Sequence, residues 1–153
     1  MLFRSQSPGA EREKSIPLPT WTEILPAPDV AFISLQYGET AADIEGAERA
    51  LGVRVAIDEG IDPVRDLDGF AAQIAAMDLV ISVSNTTVHL AGALGQRAWA
   101  MIPSDRGRLW YWFLDRTDSP WYARLRLFRK PVGGRWTGAL AEVGAALRQL
   151  EHV

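Results

Sequence analysis

The chain has 153 residues, 48% hydrophobic and 23% charged, a composition that suits one globular domain with a sizeable core. Its formal net charge of -3 lacks the basic excess of a nucleic-acid binder, and the lack of cysteine excludes disulfide scaffolds and thiolate metal sites. With two histidines, His89 and His152, no metal site is assigned, and no apolar run approaches the ~20 residues of a membrane span.

Residues 1–14 are polar and charged, contain Pro8-Gly9, and read as a flexible lead-in to a single domain at 15–153. Met1-Leu2-Phe3-Arg4 lacks the apolar core of a signal peptide, so a cytoplasmic protein is expected. Pro17, Pro19, Pro26 and Pro28 bracket Trp21 to Leu25, which suits a short helix capped by Thr20. No strand precedes this segment, which reads either as the tail of a longer natural gene product or as the start of this domain alone. Residues 30–35 form the first predicted strand, and Gln36-Tyr37-Gly38 the loop that ends it. A helix follows over 40–51, closed by Gly52. A second strand at 53–57 leads through an acidic loop to a helix at 70–77, with Asp68 as its candidate cap. The third strand, 79–83, is apolar enough to be buried on both faces. It runs through Ser84, Asn85, Thr86 and Thr87 into a helix at 88–94, stopped by Gly95. A fourth strand spans 97–102 and ends at Pro103. The region 104–135 is irregular and aromatic, with a short strand at 125–128. An amphipathic helix at 136–150 completes the chain. Strands alternate with helices, which predicts an α/β fold, a parallel sheet with helices on both faces.

The polar junction at 84–87 is the first candidate site. A buried parallel strand that turns directly into a helix leaves backbone N–H groups free at the strand's carboxyl end, where open α/β sheets bind anions. Ser84, Asn85, Thr86 and Thr87 add hydroxyls and a carboxamide able to hold phosphate oxygens. The plainer alternative is one helix cap among turn residues. His89, one turn past Asn85, either donates to a phosphate or ribose or is a half-buried histidine bonded to a carbonyl. Gln36 and Tyr37 follow another strand's carboxyl end, where Tyr37 stacks on a ligand ring or covers the core. Arg106 and Arg108, after a third strand, suit a diphosphate through their forked guanidinium groups. Trp110 and Trp112 either stack on a base or sugar or fill the space beneath a long loop. Ser119-Pro120-Trp121-Tyr122 reads as a packed aromatic turn, and Arg124, Arg126, Arg129 and Lys130 as a solvated strand face. Gly92, Ala93 and Gly95 read as permitting close helix–sheet packing. No G-x-S-x-G, Walker, H-E-x-x-H or G-x-G-x-x-G motif occurs, and no carboxylate pair nominates an acid and a base. The catalytic residues are therefore left unassigned.

Ile33-Ser34-Leu35-Gln36-Tyr37-Gly38, residues 78–95, Leu109-Trp110-Tyr111-Trp112, Ser119-Pro120-Trp121-Tyr122 and Arg126-Leu127-Phe128-Arg129 occur in a distinctive order. In these motifs the chain resembles the C-terminal region of tetratricopeptide-repeat-linked bacterial glycosyltransferases. These are related to glycosyltransferase family nine, the ADP-heptose:lipopolysaccharide heptosyltransferases. The resemblance runs from about Lys14 to the last helix. It implies a Rossmann-like three-layer parallel sheet, the C-terminal half of a GT-B glycosyltransferase. That half binds a nucleotide diphosphate sugar as substrate, without metal or other cofactor.

The resemblance implies that Ser84 to Thr87 meet the donor's diphosphate or sugar, with His89 supporting the loop. It puts Gln36 and Tyr37 on the nucleotide side and Lys14, or Arg12 beside it, near the donor phosphates. Arg108 and Trp110 complete the expected donor-binding set. Heptosyltransferases carry an aspartate where this chain has Ser84. Their acceptor-activating base belongs to the N-terminal half of the fold, which this chain lacks, as it lacks a repeat segment. The expected function is the nucleotide-sugar-binding half of a metal-independent inverting glycosyltransferase, inactive without an N-terminal acceptor or repeat domain as partner. The alternative is a non-catalytic interaction or regulatory module that retains the fold. A nucleic-acid partner and a membrane span are not expected.

Overall fold

The structure is a computed structural model that describes Met1, Arg4 and residues 11–150, less the side chains of Glu11 and Arg12. Parts of the expected lead-in (residues 2, 3 and 5–10), the Arg12 side chain and His152 lie outside the described residues. The fold is α/β; among the described residues the named strands pair parallel with one another, and one isolated antiparallel bridge joins Asp118 to Arg126. A helical turn, α1 (Glu11–Lys14), leads to a 3-10 turn at Leu18–Thr20. Then come β1 (Phe32–Ser34), α2 (Ala41–Leu51), β2 (Val55–Ile57), α3 (Leu67–Ala75), β3 (Val80–Val83) and α4 (Thr86–Ala93). The chain continues through β4 (Ala98–Pro103), a 3-10 turn at Trp110–Trp112, β5 (Leu125–Lys130) and α5 (Thr137–Leu150).

The strands form two sheets, β1-β2 and β3-β4-β5, rather than the one expected. The edge of β1 is taken by the chain itself. The Met1 amine donates to the Ile33 carbonyl at 2.6 Å, and the Leu35 N–H donates to the Met1 carbonyl at 2.7 Å. Backbone groups of successive strand residues point to alternate edges, so these bonds and the pairing with β2 use opposite edges of β1. Both sheets nevertheless share one core, in which Phe32, Val55, Val83, Met101 and Phe128 are buried with Trp21 and Leu140. Every residue of β3 and β4 is buried, which is why they read in sequence as continuous apolar runs.

Three local expectations are corrected. Residues 21–25 form turns rather than a helix, and the Thr20 hydroxyl donates to the Pro17 carbonyl at 2.6 Å instead of capping. The α3 cap is Asp66, whose carboxylate accepts from the Gly69 N–H at 2.8 Å; Asp68 sits inside the first turn. The strand expected at 125–128 runs on to Lys130, pairing its last residues with Ile102 and Pro103. Gly52, Gly95 and Gly107 adopt positive φ, so the two helix stops read from sequence rest on a left-handed residue.

Candidate functional site

The start of α4 follows the carboxyl end of β3 directly. Asn85 is the cap in an extended conformation, and its side-chain oxygen accepts from the Thr87 N–H at 3.0 Å. That takes up one of the four N–H groups which a helix start leaves free. The Ser82 hydroxyl lies 3.2 Å from the same oxygen and 2.9 Å from the Val83 carbonyl, so the strand's last turn braces the cap. Asn85 Nδ2 is enclosed without a hydrogen-bond partner among the described residues.

The four polar residues of the junction do not act as a set. Ser84 and Thr87 are buried, Asn85 is half-buried, and Thr86 alone is exposed. The Ser84 hydroxyl accepts from the Trp112 indole N–H at 2.9 Å, so the chain's own side chain already occupies it. His89 stacks on Trp112 with ring centroids 5.1 Å apart and planes at 18°. Its Nδ1 shares a hydrogen bond with the Tyr122 hydroxyl at 3.0 Å, and Tyr111 meets it edge-on. Burial lowers the His89 pKa from its ordinary value, which favours the neutral ring. Of the two sequence readings, His89 follows the half-buried one, with a phenol in place of the carbonyl.

The aromatic loop seats on α4 through Gly92. A Cβ added there would come within 2.4 Å of the Tyr122 ring, so this glycine admits the loop rather than the sheet. Ala93 is exposed, and Gly95 has open space where a Cβ would sit. The expectation of close helix–sheet packing at these three residues is thereby corrected. Trp110 and Trp112 divide the two readings between them: Trp112 is 2% exposed and fills the core, whereas Trp110 is 75% exposed.

The basic residues after β4 and along β5 are likewise split. Arg106 and Arg108 lie on an exposed turn, and Lys14 packs beneath it, 3.4 Å from where a Gly107 Cβ would be. Lys14 is 4% exposed, and burial lowers its pKa. The solvated-face reading of β5 holds for Arg124 and Arg126 but fails for the next pair. Arg129 donates to the Trp112 carbonyl at 2.6 Å and the Arg116 carbonyl at 2.9 Å, fastening the aromatic loop. Lys130 is buried, 3.1 Å from Glu13 and 3.2 Å from Asp105. Burial alone would lower its pKa; the bonds to Glu13 and Asp105 outweigh that and raise it. Spacing in the sequence carried no sign of these roles, since the partners lie far away along the chain.

Gln36 and Tyr37 line a cleft of about 620 Å³ at the carboxyl ends of β1 and β2, with Ser34, Asp58, Asp62 and Arg65 among its walls. Those walls include none of residues 84–89. The Gln36 side-chain oxygen accepts from the Arg4 backbone N–H at 2.9 Å. Among the described residues, no group of three or more His, Asp or Glu side chains is placed to hold a metal ion, and no helix is long and apolar enough to cross a membrane.

The arrangement is that of an α/β polypeptide with a capped helix start at a strand's end and a polar cleft at the ends of two other strands. The chain is similar to protein FlbA of Caulobacter vibrioides, with 38% identity over 149 residues. That match covers 97% of this chain and 24% of the relative, so the chain spans about a quarter of the length of the curated relative it matches. No described protein family and no solved structure matches it.

Proposed function

We propose that the chain is the nucleotide-sugar-binding half of a metal-independent inverting glycosyltransferase, with the Rossmann-like layering of a GT-B C-terminal half. One observation carries the reading. The strands end in two polar features, the exposed Thr86 at the α4 start and the 620 Å³ cleft holding Gln36 and Tyr37. The helix start suits a diphosphate, whose charge meets the helix dipole and free N–H groups. The cleft suits a nucleoside, with carboxylates for ribose hydroxyls and Tyr37 for a ring. In transfer, an acceptor hydroxyl attacks the anomeric carbon as the nucleoside diphosphate departs. Thr86 and the helix N–H groups then stabilise the leaving charge. The acceptor's base comes from a separate acceptor domain, by resemblance the N-terminal half of the longer protein.

Calorimetric titration of the chain with ADP- and UDP-sugars tests this. Binding is expected, with no sugar transfer by the chain alone. Thr86→Ala, which removes one hydrogen bond to the diphosphate, is expected to weaken it about three- to tenfold.

A second reading is favoured by the Ser84–Trp112 bond and the burial of Thr87. These consume two of the four junction side chains in packing, as a non-catalytic interaction module would. Absence of binding to any of these donors, in wild type and Thr86→Ala alike, supports the module and refutes the transferase reading.

A further inference from the structure

We propose that Trp110 and Trp121 form a stacking corner for a pyranose ring, the sugar end of the ligand assigned above, and this inference rests on that reading. Trp110 is 75% and Trp121 55% exposed, although burying an indole is among the larger apolar gains open to a side chain. Their centroids lie 6.4 Å apart with planes at 85°, so the two rings make perpendicular walls. Single exposed apolar residues are ordinary; two exposed tryptophans held in a fixed mutual geometry form a patch of the kind that marks an interaction site.

The walls are held in place. The Trp121 indole N–H donates to the Tyr111 carbonyl at 3.1 Å, and its backbone N–H to the Ser119 hydroxyl at 3.2 Å. Tyr111 meets the Trp110 ring edge-on at 5.7 Å. Behind them Arg129 grips the carbonyls of Trp112 and Arg116, and the Leu127 N–H donates to the Thr117 carbonyl at 2.7 Å. An exposed ring already fixed in one orientation surrenders little rotamer freedom on binding, the condition for a preorganised surface.

A pyranose fits such a corner by its chemistry. One of its faces presents axial C–H groups, whose partial positive charge meets the negative face of an indole. Its equatorial hydroxyls project sideways, and the same loop carries polar side chains, among them Arg116 and Asp118, 2.8 Å apart. The corner is also tied through the chain to the α4 start. Trp112, two residues beyond Trp110 in one 3-10 turn, is the side chain bonded to Ser84. A sugar joined to a diphosphate at that helix start would therefore be presented to the aromatic loop.

The test compares UDP, ADP and GDP with UDP-glucose, ADP-glucose and GDP-mannose by calorimetry on the 153-residue chain. In parallel, the indole N–H resonances are followed with methyl α-glucoside and methyl α-mannoside. At least one sugar nucleotide is expected to bind about tenfold more tightly than its parent diphosphate. Trp110→Ala and Trp121→Ala are each expected to erase that advantage while leaving the parent diphosphate within twofold, and Trp110→Phe to restore part of it. The corner is overturned if the sugar adds no affinity, or if Trp110→Ala weakens the parent diphosphate equally, which would make it a base-stacking site. It is also overturned if the substitutions change only the sedimentation behaviour of the chain, which would mark a face for another protein. If no diphosphate binds, the transferase reading fails separately. Glycoside shifts confined to the Trp110 and Trp121 indoles would then still uphold the corner, and their absence would end it.

Discussion

Ser84 illustrates how one residue type serves two purposes at the same backbone position. A small hydroxyl at the end of β3 suits either an oxygen of a bound anion or a buried donor from the same chain. Here the Trp112 indole N–H takes it, and the 2% exposure of both residues leaves water no access. Ser84→Ala would leave that N–H buried and unpaired, a loss of about 1–3 kcal/mol. At about 2–4 °C per kcal/mol for a chain of this size, thermal unfolding is expected to move down by several degrees. Ser84→Thr, which keeps the acceptor, is expected to lose less. An unchanged melting temperature in Ser84→Ala would mean that the bond holds nothing together. Thr86, one exposed position along the helix, is the contrasting case: its alanine variant is expected to lose affinity rather than stability.

At the scale of elements, the aromatic loop and α4 behave as one packed unit, with Gly92 as the seat. A methyl group at 92 would meet the Tyr122 ring at 2.4 Å, a distance at which the ring must move. Gly92→Ala would itself favour the helix by roughly 1 kcal/mol. Displacing Tyr122 from His89 is expected to outweigh this, for a net loss of about 1–3 kcal/mol. Denaturant titration reads the sign, since propensity and overpacking predict opposite shifts of the midpoint. The strands and helices of this unit were legible in the sequence because each is a local pattern. Residues 79–83 are a mostly apolar run whose members from Val80 on are buried, Asn85 is a cap residue placed before the helix, and Gly95 is a stop. The pairings that decide what the site exposes were not legible. Ser84 meets Trp112 from 28 residues away, and Arg129 reaches Trp112 from 17. Nothing in the spacing of the aromatic loop separates the buried Trp112 from the exposed Trp110, because that depends on which indole finds an acceptor. Asp66 and Asp68 are equally good cap residues by type, and only the backbone's departure from helical geometry at Asp66 chooses between them.

Across the whole molecule, the beginning of the chain is tied to both sheets. Met1 hydrogen-bonds along β1, in the two-stranded sheet, while Glu13 pairs with Lys130 at the end of β5, in the three-stranded one. The Met1 amine is buried, which pulls its pKa down from 8.0 to about 5. His89 is lowered from 6.5 in the same direction and for the same reason. In both cases the unfolded chain takes up a proton at a higher pH than the folded one, so acid favours unfolding. The amine's contribution is fully present above pH 8 and is lost as pH falls toward about 5; the His89 contribution is lost only below 6.5. The carboxylates held low in the fold, Asp62, Asp105 and Asp118, all start from 3.8 and titrate below this window. Stability of the 153-residue polypeptide is therefore expected to decline from pH 8 to pH 5. For the amine the loss is up to about 4 kcal/mol, at 1.36 kcal/mol per pKa unit. Denaturation curves at pH 8, 6.5 and 5 measure it. The same polypeptide with an acetylated N-terminus separates the two groups, because acetylation removes the proton site and keeps an N–H for Ile33. The acetylated chain is expected to hold its stability from pH 8 to 6.5 and to lose only the His89 share below that. Equal pH profiles for the two forms would show that the amine is hydrated in the folded chain and that the contact with β1 does not form.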